Sequence, residues 1–161
     1  VVDSVWYGDV RLVQYAAHSG AFDIMLEPNV RIGDHITLAE ASLPRTDGWQ
    51  PGDVVPVALH WQTAALLEDS YRVFLQLIDE DGNLVAARDG EPIGWTRPTP
   101  TWQPGETIID RHGLLLPGNL ATSNLTLIVG LYNPSSNGAR LPSVGDNADT
   151  FELAPLTITE G

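Results

Sequence analysis

Apolar and polar positions alternate with a period of two along most of the chain. The alternation is clearest in VVPVALHW, YRVFLQLI and NLTLIVGLY, where every second residue is a large aliphatic or aromatic side chain. Each segment therefore has an apolar face, as expected for a strand that is buried on one side. Many of these positions hold β-branched or aromatic residues, which favours strands over helices.

Glycine and proline divide the chain into short pieces. With 15 glycines and 12 prolines, few stretches are long enough for a helix of about ten residues. The segment 63–71 could also form a short helix, but we expect a loop or a single turn there. The predicted strands are 10–17, 22–26, 35–43, 53–62, 71–79, 84–89, 107–116, 124–132 and 151–159.

About nine short strands with turn signals between them predict an all-β fold. The expected architecture is an antiparallel two-sheet β-sandwich of immunoglobulin or fibronectin type, with a jelly roll as the alternative. The clearest hairpin is LIDEDGNLVAA, where Asp81-Gly82 or Gly82-Asn83 is suited to the positive φ angles of a tight turn.

One pentapeptide occurs twice, as WQPGD at 49–53 and as WQPGE at 102–106. A duplication, a paired aromatic ligand site and a reused turn would each explain the repeat. Proline presets φ at the first central position of a type II turn and glycine accepts the positive φ of the second, so each copy can start the strand that follows it. The flanking sequences do not match, which favours the turn over a duplication. From the turn alone, Pro104→Ala combined with Gly105→Val is expected to destabilise the fold more than Trp102→Ala.

Composition narrows the range of partners. The chain of 161 residues is about one domain long, and its 21 carboxylates outnumber eight basic residues, all of them arginine, for a net charge of −13. Such a surface argues against nucleic acid as a partner, because phosphate binding needs clustered cations. The sequence contains no cysteine, which excludes disulfides and thiolate chemistry. A start that lacks methionine and any signal-peptide pattern leads us to expect a piece of a longer protein.

No motif in the chain names a reaction, a metal or a cofactor. The sequence has no GxSxG, phosphate-binding P-loop or GxGxxG pattern. The acidic loop at 79–83 lacks the glycine and glutamate spacing of a calcium-binding EF-hand and is expected to be a turn, whereas a surface calcium at 146–149 stays open. Four histidines lack zinc-binding spacing and are expected on the surface or rim: His18, His35, His60 and His112.

The tryptophans fall into two groups. Trp61 lies on the apolar face of a predicted strand and is expected in the core. Trp49, Trp95 and Trp102 lie in loops rich in glycine and proline. Each of these three rings would either close an end of the core or offer a flat stacking platform to a sugar.

Four segments carry a family resemblance through their order: WQPGDVVPVALHWQ, DSYRVFLQLIDEDGNLVAARDGEPIG, TPTWQPGETIIDRHGLLLP and LIVGLYNPSSNGARLP. Together they resemble the C-terminal extracytoplasmic β-sandwich domain of bacterial, Chloroflexi-like membrane glycosyltransferase-like proteins of the dolichyl-phosphate-mannose-protein mannosyltransferase type. The matching residues are Pro51, Gly52, Asp53, Trp61, Tyr71, Val73, Phe74, Asp89, Pro92, Trp102, Pro104, Gly105, Glu106, Gly130, Leu131, Tyr132, Arg140, Leu141 and Pro142. The resemblance covers 34–161, so we expect a single domain over 1–161 with extra N-terminal strands in 1–33.

The resemblance implies a non-catalytic accessory domain. In that family the catalytic carboxylates belong to the membrane half, so this domain would lie outside the cytoplasm, tethered to the membrane by the rest of the chain. Its expected partners are the membrane-embedded half and a glycan or acceptor. If sugar is bound, the expected site residues are loop aromatics and planar hydrogen-bonding groups: Trp95, Trp102, Asp89, Arg97 and Arg140.

Three other functions remain open from the sequence. A free-standing secreted carbohydrate-binding module would keep the sugar site but lack the membrane-bound parent. A structural or protein-interaction sandwich would bind protein instead of sugar. A small glycoside hydrolase would use two of the 21 carboxylates.

Overall fold

Two antiparallel sheets and a separate hairpin make up the computed structural model, which describes residues 3–14, 20–145 and 147–159. The strands are β1 (Asp3–Tyr7), β2 (Val10–Gln14), β3 (Ile24–Leu26), β4 (Val30–Ile32), β5 (Ile36–Leu43), β6 (Val54–Thr63), β7 (Arg72–Asp79), β8 (Leu84–Gly90), β9 (Ile108–Leu115), β10 (Asn124–Asn133), β11 (Ala139–Arg140) and β12 (Phe151–Thr157). The first sheet has the order β3-β5-β6-β9, with β4 also paired to β5. The second has the order β11-β10-β7-β8, with β12 also paired to β10. The predicted all-β sandwich is confirmed.

All nine predicted strands are present, and their ends differ from the predicted ends by a few residues. The strand predicted at 10–17 is seen as β2 up to Gln14, and residues 15–17 lie outside the described part of the chain. Residues 64–71 form a loop, as expected, and Thr63 is the last residue of β6. The sequence missed β1, β4 and β11, which are only five, three and two residues long and therefore carry little periodic signal.

The core lies between the two sheets, where the alternating apolar positions meet. On β6 and β7 the inward side chains are fully buried, at Val55, Val57, Leu59, Trp61, Val73, Leu75 and Leu77. Trp61 is therefore a core residue, as predicted. Burial of one such aliphatic side chain contributes about 1.5–3 kcal/mol to folding, so this contact between sheets is the main stabilising element.

The first pentapeptide forms a tight turn before β6. Gly52 has a φ of +88°, and the backbone N–H of Asp53 donates to the carbonyl of Gln50 at 3.0 Å. The Asp53 carboxylate also accepts the backbone N–H of Gln50 at 3.0 Å and lies 3.2 Å from the Arg45 guanidinium. The last residue of the motif thus binds the first residue of its own turn.

The second pentapeptide repeats this arrangement before β9. Gly105 has a φ of +84°, and the Glu106 N–H donates to the carbonyl of Gln103 at 3.0 Å. The Glu106 carboxylate accepts the Gln103 N–H at 3.1 Å and binds the Arg97 guanidinium through both oxygens, at 2.8 and 2.9 Å. The repeat is therefore a reused turn, as the turn interpretation predicted. The carboxylate–arginine pair of each copy is a further feature that the structure adds.

The tryptophans of the two motifs close the ends of the core. Trp49 is 4% exposed and Trp102 is 0% exposed. The Trp102 indole N–H donates to the carbonyl of Arg97 at 3.1 Å, so the buried nitrogen has a partner. A fully buried ring has no face available to a sugar, so the expectation that Trp102 contributes a stacking platform is wrong.

Trp102→Ala should destabilise the fold more than Gly105→Val. Removing a buried tryptophan leaves a cavity and costs about 3–5 kcal/mol. At Gly105 a side chain would meet open space, so the cost is the positive φ alone, about 1–3 kcal/mol. The turn alone favoured the opposite order, for Gly105→Val in combination with Pro104→Ala. Urea midpoints of the two variants test it, and a lower midpoint for Gly105→Val would mean that the turn contributes more than the buried ring.

Glu106→Gln should lower the melting temperature at neutral pH but not in acid. The hydrogen bonds from Arg97 and from the Gln103 amide lower the pKa of Glu106 below its usual value. A carboxyl group with a lowered pKa stabilises the folded state above its unfolded pKa, and this contribution disappears as the pH falls through the folded pKa. Melting curves from neutral pH to about pH 2 should therefore converge for wild type and variant. The exposed control Glu68→Gln should track wild type throughout, and a Glu106→Gln deficit that persists in acid would contradict the assignment.

Candidate functional site

The outer face of the second sheet carries a shallow depression of about 300 Å³. It lies where β8, β7, β10 and β11 run side by side, on the side away from the core. Its lining includes the outward residues Phe74, Gln76, Asp89, Tyr132 and Arg140. Arg88 also borders the depression, but it is the cross-strand partner of the buried Leu75 and therefore lies on the inward face of β8. A larger depression of about 430 Å³ lies at the turn between β7 and β8, but its lining includes three carboxylates and neither an aromatic nor a basic side chain.

The floor of the depression is an aromatic ring packed over a glycine. Gly130 faces Phe74 on the neighbouring strand, and a Cβ atom at Gly130 would lie only 2.6 Å from Phe74 Cε1. Glycine therefore lets the ring lie close to the sheet. The Arg140 guanidinium covers the ring from the other side, 4.4 Å from its centroid. Phe74 is a buried support for Arg140 and offers little surface to a ligand.

Tyr132 and Asp89 connect the two sides of the depression. Tyr132 is on β10 and Asp89 is on β8, and the tyrosine O–H donates to Asp89 Oδ2 across β7 at 2.5 Å. Burial, and then this hydrogen bond, raise the pKa of Tyr132 above its usual value. The guanidinium of Arg72 acts in the opposite direction and lowers the pKa of Tyr132. The contact fixes the position of the Asp89 carboxylate.

The segment after β8 is a left-handed turn under strain. Ile93, Gly94 and Trp95 have φ angles of +51°, +59° and +75°. Non-glycine residues pay about 1–3 kcal/mol each for such angles, so the surroundings must hold them. The Asp110 carboxylate of β9 does so by accepting the Ile93 N–H at 2.8 Å. The turn therefore depends on a residue from the opposite sheet.

Asp110 forms a buried pair with His112, which the sequence placed on the surface or rim. Both side chains are buried on the inner side of β9, with His112 Nε2 2.6 Å from Asp110 Oδ2. The surface assignment of His112 is wrong. The period-two pattern did contain the signal, since it puts Asp110 and His112 on the same face as Ile108 and Leu114.

The other three histidines differ in setting. His35 is exposed. His60 is half-buried, with Nδ1 3.0 Å from a Glu40 carboxylate oxygen. His18 lies outside the described residues.

Trp95 joins the N-terminal hairpin to the edge of the site. The guanidinium carbons of Arg11 and Arg72 lie over its ring, 5.3 and 4.7 Å from the centroid. Arg11 also lies 5.9 Å from the ring centre of Trp6, so the hairpin of β1 and β2 contacts the sandwich through these stacked groups. Trp95 remains 38% exposed and borders a small cleft that it shares with Arg88 and Asp89.

The five residues expected to bind sugar are thus divided by the structure. Asp89 and Arg140 come together in the depression, and Trp95 lies beside it. Trp102 is buried, and Arg97 is paired with Glu106 at the second turn. The sequence missed two residues that the sheet brings to Asp89, namely Gln76 and Tyr132.

The described residues contain neither a three-residue metal-binding group nor a membrane-spanning helix. Within 3–14, 20–145 and 147–159, no group of three histidine or acidic side chains is placed to hold a metal ion. The loop 79–83 is a hairpin turn in which Gly82 has a φ of +81° and Asp79 accepts the N–H groups of Asp81 and Asn83. The open calcium question at 146–149 includes Asp146, which lies outside the described residues. Within the described part of the chain, no helix has the length and apolar character to cross a membrane.

Comparison with known proteins supports the fold only. No family model matches the chain, and no curated protein matches it. The structure is similar to the crystal structure of the C-terminal domain of wzt, with a TM-score of 0.52 and 12% sequence identity over 86% of this chain and 78% of that chain. At this level of identity the likeness establishes a shared β-sandwich fold. The resemblance to glycosyltransferase-associated domains stays a prediction.

Asp89→Asn should lower the pKa of Tyr132. Removing the negative charge that accepts the phenol proton leaves burial as the cause that still raises the pKa, so the value should move towards that of free tyrosine. Titration of the tyrosine ring carbons by NMR measures this change. Tyr71 is the internal control, because burial and Asp69 raise its pKa and neither is altered. An unchanged Tyr132 titration would show that the hydroxyl and Asp89 do not interact in solution.

Proposed function

We propose that this chain is a non-catalytic carbohydrate-binding accessory domain that holds glycan in the depression on the outer face of the second sheet. The observation that carries the proposal is the convergence of Gln76, Asp89, Tyr132 and Arg140 around one depression. Amide, carboxylate and guanidinium groups are planar and offer paired hydrogen-bonding atoms, which suits adjacent sugar hydroxyls. The half-buried Tyr132 ring supplies an aromatic edge beside them.

The lining also bears on the choice between binding and hydrolysis. Asp89 is the one carboxylate among the described residues that line the depression. Glycoside hydrolases use two carboxyl groups that flank the bond to be broken. The site therefore supports binding without turnover.

A larger parent protein is part of the proposal. The ordered sequence motifs favour a membrane glycosyltransferase-like parent, with this domain on the extracytoplasmic side and packed near the membrane-embedded half. The solved structure to which it is similar is itself a C-terminal domain. A free-standing secreted carbohydrate-binding module would use the same depression, and the parent gene distinguishes the two through membrane spans before or after the domain.

One observation favours a protein-interaction domain as the second candidate. In the hairpin, Val5 pairs with Leu12 and Tyr7 with Val10, so these four apolar side chains share one face. All four are exposed. Contiguous exposed apolar surface is typical of protein contacts.

The domain should bind members of a glycan array, and the double variant Gln76→Ala/Asp89→Ala should bind them about tenfold or more weakly. The expected loss corresponds to removing hydrogen bonds of about 1–3 kcal/mol, one of them to a charged group. Asp47→Ala, an exposed carboxylate before β6, is the matched control and should bind like wild type. Circular dichroism confirms that each variant is folded. A flat array, or equal binding by the double variant, would reject the depression as a sugar site and turn attention to the hairpin face.

A further inference from the structure

We infer that the glycan site continues from the depression past Trp95 to Trp6 on the N-terminal hairpin, so that its ligand is a linear oligosaccharide of several units and not a single terminal sugar. The inference rests on the proposed function and names the class of glycan that the site selects. The depression supplies hydrogen-bonding groups for the first units of such a chain. The residues beyond it supply aromatic surface for the units that follow.

The outer face of the second sheet continues past the depression to Arg72. This residue precedes Phe74 by two positions on β7 and is the cross-strand partner of Tyr132, so it lies on the same face as the outward lining of the depression. Its guanidinium carbon lies 4.7 Å from the centre of the Trp95 ring. Asp89 lines both the depression and the small cleft that Trp95 borders. Trp95 therefore adjoins the depression directly.

The N-terminal hairpin extends this surface by two further groups. The Arg11 guanidinium carbon lies 5.3 Å from the centre of the Trp95 ring and 5.9 Å from that of Trp6. Trp6 and Arg11 are cross-strand partners and share one face of the hairpin. Arg72, Trp95, Arg11 and Trp6 thus form a row in which cationic and aromatic groups alternate, which we call the tryptophan row. Each step of the row is comparable in length to one pyranose unit, so a linear glycan can follow it from unit to unit.

The two tryptophans of this row are the exposed ones. All five tryptophans lie in the described part of the chain, and Trp49, Trp61 and Trp102 are buried. Trp6 and Trp95 are 63% and 38% exposed. A large aromatic ring left in water forgoes the stabilisation that its burial would contribute. Two exposed rings at one edge of the candidate site fit the flat stacking surface that a sugar ring requires.

Both rings are held in place before any ligand arrives. Trp95 has a φ of +75°, a costly angle for a non-glycine residue, and the Asp110 carboxylate supports its turn by accepting the Ile93 N–H at 2.8 Å. The guanidinium of Arg11 packs over both indoles and restrains them without burying them. A ring whose position is already fixed loses little conformational entropy on binding, which favours affinity.

Calorimetric titration of the whole 161-residue chain with three series of linear oligosaccharides tests the inference. The series are β-1,4-linked glucose, α-1,4-linked glucose and α-1,6-linked mannose, each from the disaccharide to the hexasaccharide. In at least one series the hexasaccharide should bind about tenfold or more tightly than the disaccharide, because contacts with the tryptophan row add to those in the depression. In NMR spectra the hexasaccharide should shift the indole N–H signals of Trp6 and Trp95, whereas the disaccharide should leave the Trp6 signal unchanged.

Trp6→Ala should reduce hexasaccharide binding to about the level of the disaccharide, which should itself bind as it does to wild type. Trp6→Tyr keeps an aromatic ring and should retain part of the gain in affinity with length. Tyr7→Ala is the matched control, because Tyr7 is as exposed as Trp6 and lies on the same strand but on the opposite face of the hairpin. This control should bind every oligosaccharide like wild type. Gln76→Ala/Asp89→Ala should instead weaken binding at every length.

The outcomes separate the inference from the function on which it rests. Equal affinity for the disaccharide and the hexasaccharide in every series that binds would overturn the extended site and leave the depression as a sugar site. A gain with length that survives in Trp6→Ala, or that Tyr7→Ala removes equally, would overturn the assignment to the tryptophan row. Absence of binding in all three series would overturn both proposals.

Discussion

The pleat of the two sheets is the constraint on which the rest of this structure depends. Successive side chains of a strand point to opposite faces, so each strand contributes one set of residues to the core and another to the surface. On β7 the inward set is Val73, Leu75 and Leu77, which are fully buried. The outward set begins with Arg72, Phe74 and Gln76. The same alternation that builds the core therefore also builds the candidate site.

The same turn motif, WQPG, occurs twice and closes the ends of the sandwich. Each WQPG turn puts its tryptophan into the core and its terminal carboxylate onto its own backbone and an arginine. The turn and the buried ring belong together, because the ring anchors the bend and the bend starts the next strand. This explains the repeat without a second ligand site.

Asp110 and His112 form a buried titratable pair on the inner side of β9. Its carboxylate holds the backbone of a left-handed turn that carries Trp95. Trp95 in turn contacts Arg72, which is the cross-strand partner of Tyr132 beside the depression. A polar pair between the sheets is thus connected through packed side chains to the depression on the outer face. The alternation pattern of the strands does not reveal this connection.

The sequence by itself determined the strands, the β-sandwich class and the reused turn, because these depend on period-two alternation and on the φ preferences of proline and glycine, which are local. It also indicated Asp89 and Arg140 as candidate sugar-binding residues. Only the tertiary structure decided that Trp102 is buried, that Arg97 is neutralised by Glu106, and that Gln76 and Tyr132 meet Asp89. These facts depend on strand order and register, which bring together residues more than 40 positions apart, such as Asp89 and Tyr132. Periodicity gives the face on which a residue lies, but hydrogen bonding between strands decides its neighbours on that face.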